Sequence, residues 1–103
     1  MEPIELRVLL TTEDGWWVAR GVEHDVAACA QSIEDLQYEF ERVLMTHVFL
    51  DLDHGVAPLS TVPPAPPDVQ ERWARGMAAS MKRPHLSVGS RPAPELRTDA
   101  RVF

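Results

Sequence analysis

The chain has 103 residues, of which 45% are hydrophobic and 25% are charged, a composition typical of one small globular domain. No apolar run approaches the roughly 20 residues that a membrane helix needs, so a membrane-spanning protein is excluded. The first residues include acids where a secretory signal would have basic residues and then an apolar block. We therefore expect a cytoplasmic protein.

The net charge of -6 is unevenly distributed along the chain. Residues 1–81 have a net charge of -9, and residues 82–103 have a net charge of +3. Because binding to nucleic acid depends largely on neutralising phosphates with lysine and arginine, the acidic body argues against direct DNA binding. It favours a basic protein partner, although the same charge would also serve simply to keep a small domain soluble.

Three strands are predicted at the start of the chain. Residues 4–10 alternate in the manner of a half-buried strand. Asp14 and Gly15 supply the residues that a tight turn prefers, and residues 16–20 are mostly aromatic or small and apolar, so a β-hairpin is the strongest local prediction. Residues 26–31 favour a short third strand rather than a helix, because the serine that follows would otherwise lie in mid-helix.

A long amphipathic helix is predicted over residues 32–55. Its apolar residues recur at steps of three and four, with Phe40 on the apolar face and the acids mostly on the other face. Ser32 can cap the start of the helix, and Gly55 followed by Pro58 marks its end. We expect one face of this helix to pack in the core.

The rest of the chain is predicted to be less regular. Five prolines between residues 58 and 67 exclude a helix there and favour an extended connector, either a spacer or a docking segment for a proline-reading domain. A short second helix begins at Asp68, with Val69, Trp73 and Met77 on one face and Trp73 as its anchor. Residues 82–103 form a basic tail that is either irregular or contains a late strand.

Two sets of residues contain side chains that are able to bind a metal or act as a nucleophile. His47, Asp51, Asp53 and His54 offer imidazole and carboxylate ligands, but their spacing is not that of a particular metal site, so neither a metal nor another cofactor is predicted. Cys29, among alanines, is expected to be a small buried residue rather than a nucleophile. Since the sequence has no phosphate-binding loop and no nucleophile motif, we predict no catalytic residue, no small-molecule substrate and no enzymatic activity.

The adjacent Trp16 and Trp17 are candidates for a binding surface. Alternation along a strand directs neighbouring side chains to opposite faces of the sheet. One ring should fill the core while the other is exposed to a partner, unless both faces of the sheet are covered. The predicted partner-binding residues are Trp16, Trp17, Glu13, Asp14 and Trp73.

Two segments resemble the HicB-like antitoxin domain. Residues 13–19 resemble its turn and second strand, and residues 31–36 resemble its helix entry, a capping serine followed by an apolar residue, two acids and an apolar residue. The resemblance covers residues 4–50. It implies an α+β fold, a partial ribonuclease-H-like arrangement in which a three-stranded antiparallel sheet packs against a long helix.

The resemblance also implies how the chain is divided. Residues 1–57 would form the HicB-like β-β-β-α domain, residues 58–81 a proline-rich connector and a short amphipathic helix packing on it, and residues 82–103 the basic tail. Because no helix-turn-helix or ribbon-helix-helix pattern follows the first domain, the chain is similar to stand-alone members of the group. The implied function is a non-enzymatic protein-binding module, an antitoxin-like inhibitor that docks a small basic RNA-cleaving toxin. The alternative is an orphan module that self-associates as a homo-oligomer or binds another protein without any toxin partner.

Overall fold

A computed structural model describes residues 2–87 and 89–103 of the chain. The structure is α+β, with a five-stranded mixed sheet, a long helix packed on one face and a short helix on the other. The order across the sheet is β3-β2-β1-β5-β4. Neither helix in the described part of the chain is long and apolar enough to cross a membrane. In chain order the elements are β1 (Ile4–Glu13), β2 (Trp16–Gly21), β3 (Ala27–Ala30), α1 (Ile33–Asp53), α2 (Pro67–Arg75), β4 (Met77–Ala79) and β5 (Leu96–Val102).

The predicted hairpin is confirmed by the turn between β1 and β2. The two strands are antiparallel, and Glu13 lies opposite Trp16 at the closed end. Asp14 and Gly15 both have positive φ, 51° and 81°. This combination defines the two-residue turn whose twist matches that of the paired strands, and aspartate followed by glycine accepts it readily.

The long helix α1 begins and ends where its capping residues predict. The Ser32 hydroxyl accepts a hydrogen bond from the backbone N–H of Asp35 at 3.1 Å, and Gly55 has a φ of +73° just beyond the last turn. The apolar face of the helix packs against the sheet and is buried along its centre, while Ile33 and Leu52 near its ends are partly buried. The buried residues on this face include Leu36, Phe40, Leu44 and Val48.

The sheet has five strands, so the predicted three-stranded antiparallel sheet was incomplete. β3, β2 and β1 pair antiparallel as expected, but β5 lies parallel to β1 and pairs with it from Ile4–Leu96 to Leu10–Val102. The late strand is therefore the correct alternative for the end of the basic tail. A parallel pair between segments so far apart in sequence leaves no local pattern that would reveal it.

The second helix is shorter than predicted, and Met77 does not lie on it. α2 ends at Arg75, and Met77 begins β4, where its side chain is 78% exposed. Gly76 allows this change of direction: a Cβ at this position would lie 2.9 Å from the carbonyl oxygen of Val102 on the neighbouring strand. The close approach to β5 thus favours glycine where the helix ends and the edge strand starts.

A small second core lies on the face of the sheet opposite α1. Leu9 of β1 points to this face and packs with Val22, Val69 and Trp73. The Trp73 indole N–H donates a hydrogen bond to the carbonyl oxygen of Asp99 at 3.1 Å, and the Arg101 guanidinium lies 3.9 Å from the ring centroid. Trp73 therefore anchors α2 to β1 and β5.

Candidate functional site

The two adjacent tryptophans lie on opposite faces of the sheet. Trp17 packs against the main core beneath α1, whereas Trp16 remains 44% exposed at the start of β2. As predicted, one ring packs against the core and the other is exposed. A tryptophan left this exposed is a common anchor of protein interfaces.

Trp16 belongs to an open groove between the end of the sheet and the first turns of α1. On the helix side the groove is lined by Tyr38, which is 64% exposed. We call this feature the Trp16–Tyr38 groove. The side chains that line it include those of Trp16, Cys29, Gln31, Asp35, Tyr38 and Glu39.

The Trp16–Tyr38 groove is acidic. Asp35 lies within it, and Glu34 lines a second groove on the other side of Tyr38. Both carboxylates lie in the first turn of α1, where negative charge stabilises the helix by interacting with the positive end of its dipole. Neither carboxylate forms an ion pair among residues 2–87 and 89–103. Glu39 is paired with Arg42 at 3.1 Å on the exposed helix surface. The groove therefore combines two exposed aromatic rings with the unpaired carboxylate of Asp35, while Arg42, which pairs with Glu39, lies 6.0 Å from the centroid of the Tyr38 ring.

The loop before β3 is held in place by an ion pair. The Arg20 guanidinium donates hydrogen bonds to both carboxylate oxygens of Asp25, at 2.8 and 3.1 Å. The hydrogen bonds that the Asp25 carboxylate accepts raise the pKa of Arg20 above its ordinary value, while partial burial of the guanidinium opposes that shift. The backbone N–H of Asp25 donates to the carbonyl of Pro63 at 2.8 Å, so the proline-rich connector also fixes this loop. Both contacts position the entry to β3 and hence one side of the groove.

The other predicted partner-binding residues occupy different places. Glu13 and Asp14 are exposed at the hairpin turn, next to Trp16 in the strand register. Trp73 is only 8% exposed, because its side chain packs between α2 and the sheet, away from the hairpin turn. We therefore leave Trp73 out of the proposed binding surface and assign it a structural role.

The possible metal ligands at the end of α1 are dispersed. No cluster of three His, Cys, Asp or Glu side chains that could hold a metal ion occurs in the part of the chain that the structure describes. Asp51 is only 5% exposed and accepts hydrogen bonds from the backbone N–H of Leu59 at 2.7 Å and the Thr61 hydroxyl at 3.0 Å. Leu59 has a φ of 65° and is fully buried. Asp51 thus holds a turn of the connector in a backbone conformation that leucine rarely adopts.

Replacing Asp51 with asparagine should lower the free energy of unfolding by about 1–3 kcal/mol. An amide of the same size places an NH₂ group against one of the two donors, so that one buried hydrogen bond is lost. Urea denaturation followed by circular dichroism would measure the change. Asp53→Asn is the control, since Asp53 is exposed and its pair with Arg91 is a surface ion pair worth about 0–1 kcal/mol. Equal effects of the two substitutions would contradict this role for Asp51.

Cys29 is exposed, which corrects the prediction that it is buried. It lies opposite Val18 on the face of the sheet away from α1. β3 is an outer strand, and α2 packs over β1 rather than over β3. Its neighbours Ala28 and Ala30 face α1 and contribute to the main core instead.

Five side chains that line the groove were not predicted as partner-binding from the sequence: Cys29, Gln31, Asp35, Tyr38 and Glu39. Tyr38 carried a usable signal, because an aromatic residue that falls outside the apolar stripe of an amphipathic helix must be exposed. Gln31 and Glu39 carried none, since polar residues at a strand end or on a helix surface are ordinary. Their proximity to Trp16 depends on how α1 packs against the sheet.

A second charged groove lies beside β1 and β5, but its side chains satisfy each other. Arg7 donates from its side chain and its backbone N–H to the carboxylate of Glu23. Arg97 lies 3.9 Å from Glu5 across the same groove. Of the five charged residues that line this groove, only Asp99 forms no ion pair among the described residues, so most of the charge here is compensated.

The comparisons with known proteins add no relative to this description. No protein-family model, no curated protein and no solved structure matches the chain.

Proposed function

We propose that the chain is a non-enzymatic, HicB-like protein-binding module, an antitoxin-like inhibitor that docks a small basic RNA-cleaving toxin. The observation that carries the proposal is the Trp16–Tyr38 groove, where two exposed aromatic rings adjoin the carboxylate of Asp35, which forms no ion pair in the described part of the chain. Aromatic anchors provide contact area, and the acids provide attraction for a positively charged surface. The resemblance of residues 13–19 and 31–36 to the HicB-like domain supplies the class of partner.

The position of the groove supports an inhibitory role. Trp16 is fixed by the hairpin and Asp35 and Tyr38 by the first turns of a capped helix, so the surface is held by rigid elements before a partner arrives. A preorganised surface loses less conformational entropy on binding. An RNase that binds the RNA backbone needs a basic surface. An acidic module that covers such a surface would exclude the RNA from it.

The first test is a titration of the protein with a HicA-like ribonuclease encoded in the same genome, with RNA cleavage as a second readout. Asp35→Lys should weaken the complex by about tenfold or more and restore RNA cleavage, because a charge pair becomes a repulsion. Trp16→Ala should weaken it by about thirtyfold, the value of a buried aromatic anchor. Glu71→Lys on α2, on the other face of the sheet, is the control for the change of net charge.

Two results would count against the proposal. If the unmodified protein does not bind or inhibit the ribonuclease, the antitoxin function is wrong. If Asp35→Lys and Glu71→Lys weaken the complex equally, the attraction is general and the groove is not the contact site.

The alternative function, self-association without a toxin, is favoured by the other edge of the sheet. Met77 on β4 is 78% exposed, and β4 is an outer strand with an unpaired edge in the described part of the chain. Light scattering of the protein alone distinguishes the two: a stable dimer that Met77→Lys dissociates would favour the orphan module.

A further inference from the structure

The outer strand β3 presents an open edge next to the Trp16–Tyr38 groove. In the described part of the chain β3 pairs only with β2, through the four residues Ala27–Ala30. An unpaired edge offers a row of backbone donors and acceptors to any extended segment that reaches it. Such a segment would extend the sheet by a sixth strand.

The side chains of β3 do not protect this edge. Outer strands of soluble proteins are commonly shielded by charged side chains, proline or a bulge, and the sequence of β3 contains neither charge nor proline. Ala27 and Cys29 are exposed and small. The other outer strand, β4, has only three residues and carries the bulky Met77. The β3 edge is therefore the longer of the two and has only small side chains along it.

The groove flanks this edge from both faces of the sheet. Ala30 and Trp17 face α1 and pack in the main core, so alternation places Cys29 and Trp16 on the opposite face. On the α1 side the groove is lined by Asp35, Tyr38 and Glu39. An added strand would thus direct alternate side chains toward carboxylates and toward an apolar surface around Trp16.

From this arrangement we infer that the β3 edge takes up an extended segment of the partner as a sixth strand, in which basic and apolar residues alternate. The basic side chains lie toward Asp35 and Glu39, and the apolar ones lie toward Trp16 and Cys29. Four paired residues correspond to about 13 Å of strand. This inference rests on the proposed function of the groove and specifies the partner's binding segment.

The test uses a synthetic peptide of about ten residues in which lysine and valine alternate, titrated into the whole protein. Two further peptides have the same sequence but are N-methylated on all lysine amides or on all valine amides. In a strand, alternate N–H groups point to opposite edges, so one methylated peptide loses the donors that face β3 and the other keeps them. We expect one methylated peptide to bind at least about tenfold more weakly and the other to bind like the parent. Which of them fails depends on whether the added strand is parallel or antiparallel to β3.

Hydrogen exchange and a pair of protein variants complete the experiment. Binding of the parent peptide should slow amide exchange within Ala27–Ala30 and leave β4 unchanged. Cys29→Lys, which adds a positive charge at the β3 edge, should weaken peptide binding by about tenfold, whereas Met77→Lys at the β4 edge should not.

The outcomes separate this inference from the proposed function. If both methylated peptides bind like the parent, strand pairing is wrong, and the acidic groove recognises side chains alone. If the parent peptide does not bind, the alternating strand is wrong, while inhibition of the ribonuclease still decides the proposed function. If a peptide with the same residues in scrambled order binds equally well, the pattern of alternation is wrong.

Discussion

Phe40→Ala is expected to lower the free energy of unfolding by about 3–5 kcal/mol. Phe40 is fully buried at the middle of α1 and is the largest fully buried side chain of the core. It packs in the cluster that joins α1 to Leu6, Val8 and Leu10 of β1. Alanine would leave a cavity there, because neighbouring side chains in a close-packed core relax only partly.

Urea and thermal denaturation would measure this loss. For a domain of this size, it should lower the melting temperature by more than about 10 °C. Tyr38→Ala is the matched control, an aromatic residue of the same helix that is exposed and should change stability by less than about 1 kcal/mol. A melting temperature that falls by under about 5 °C in Phe40→Ala would show that the packing of α1 on the sheet is misassigned.

The elements predicted from the sequence are those with local signals. Asp14 and Gly15 can adopt the left-handed backbone of a tight turn, and Ser32 and Gly55 limit α1 through their own hydrogen bonding and backbone freedom. Such signals depend on residues a few positions apart. The alternation of Trp16 and Trp17 belongs to the same class: it correctly predicts that the two rings lie on opposite faces, although it does not predict which of them is buried.

The position of β5 could not be predicted in this way. Its residues 96–102 include Leu96 and Ala100, which are buried, but also Arg97, Asp99 and Arg101, so the segment is only weakly apolar. That it lies between β1 and β4 is decided by pairing with residues more than eighty positions earlier. The composition of the basic tail does not indicate this pairing. The charged residues of the strand alternate with the buried Leu96 and Ala100, so they lie on the face of the sheet away from α1.

The candidate site was predictable only in part, because only some of its residues have a local sequence signal. The local sequence is enough to predict Trp16 as a candidate, because it lies beside Trp17 in a predicted strand. Its proximity to Tyr38 and Asp35 results from the packing of α1 on the sheet. Trp73 was predicted both as the anchor of a short helix and as a contact for a partner. The structure uses it as the anchor, because α2 covers the second face of the sheet at Leu9.

Deleting residues 96–103 should abolish cooperative folding. The deletion removes β5, which lies between β1 and β4. This strand pairs with β1 from Ile4 to Leu10 and also pairs with β4. The deletion also removes Leu96 and Ala100 from the main core and the carbonyl of Asp99 that accepts the Trp73 indole hydrogen bond. Each buried side chain and hydrogen bond contributes only about 1–3 kcal/mol, but together they reach the roughly 5–15 kcal/mol that holds a small domain folded.

Circular dichroism and two-dimensional NMR of the shortened chain would test this expectation. We expect no cooperative thermal transition and little dispersion of the amide signals, and a synthetic peptide of residues 95–103 should restore both by occupying the vacant position beside β1. A chain that lacks only Phe103, whose side chain is exposed, should fold normally and serves as the control. If the shortened chain instead unfolds cooperatively near the original temperature, the first three strands and α1 form an independent domain, and the last strand is a tail that merely packs against it.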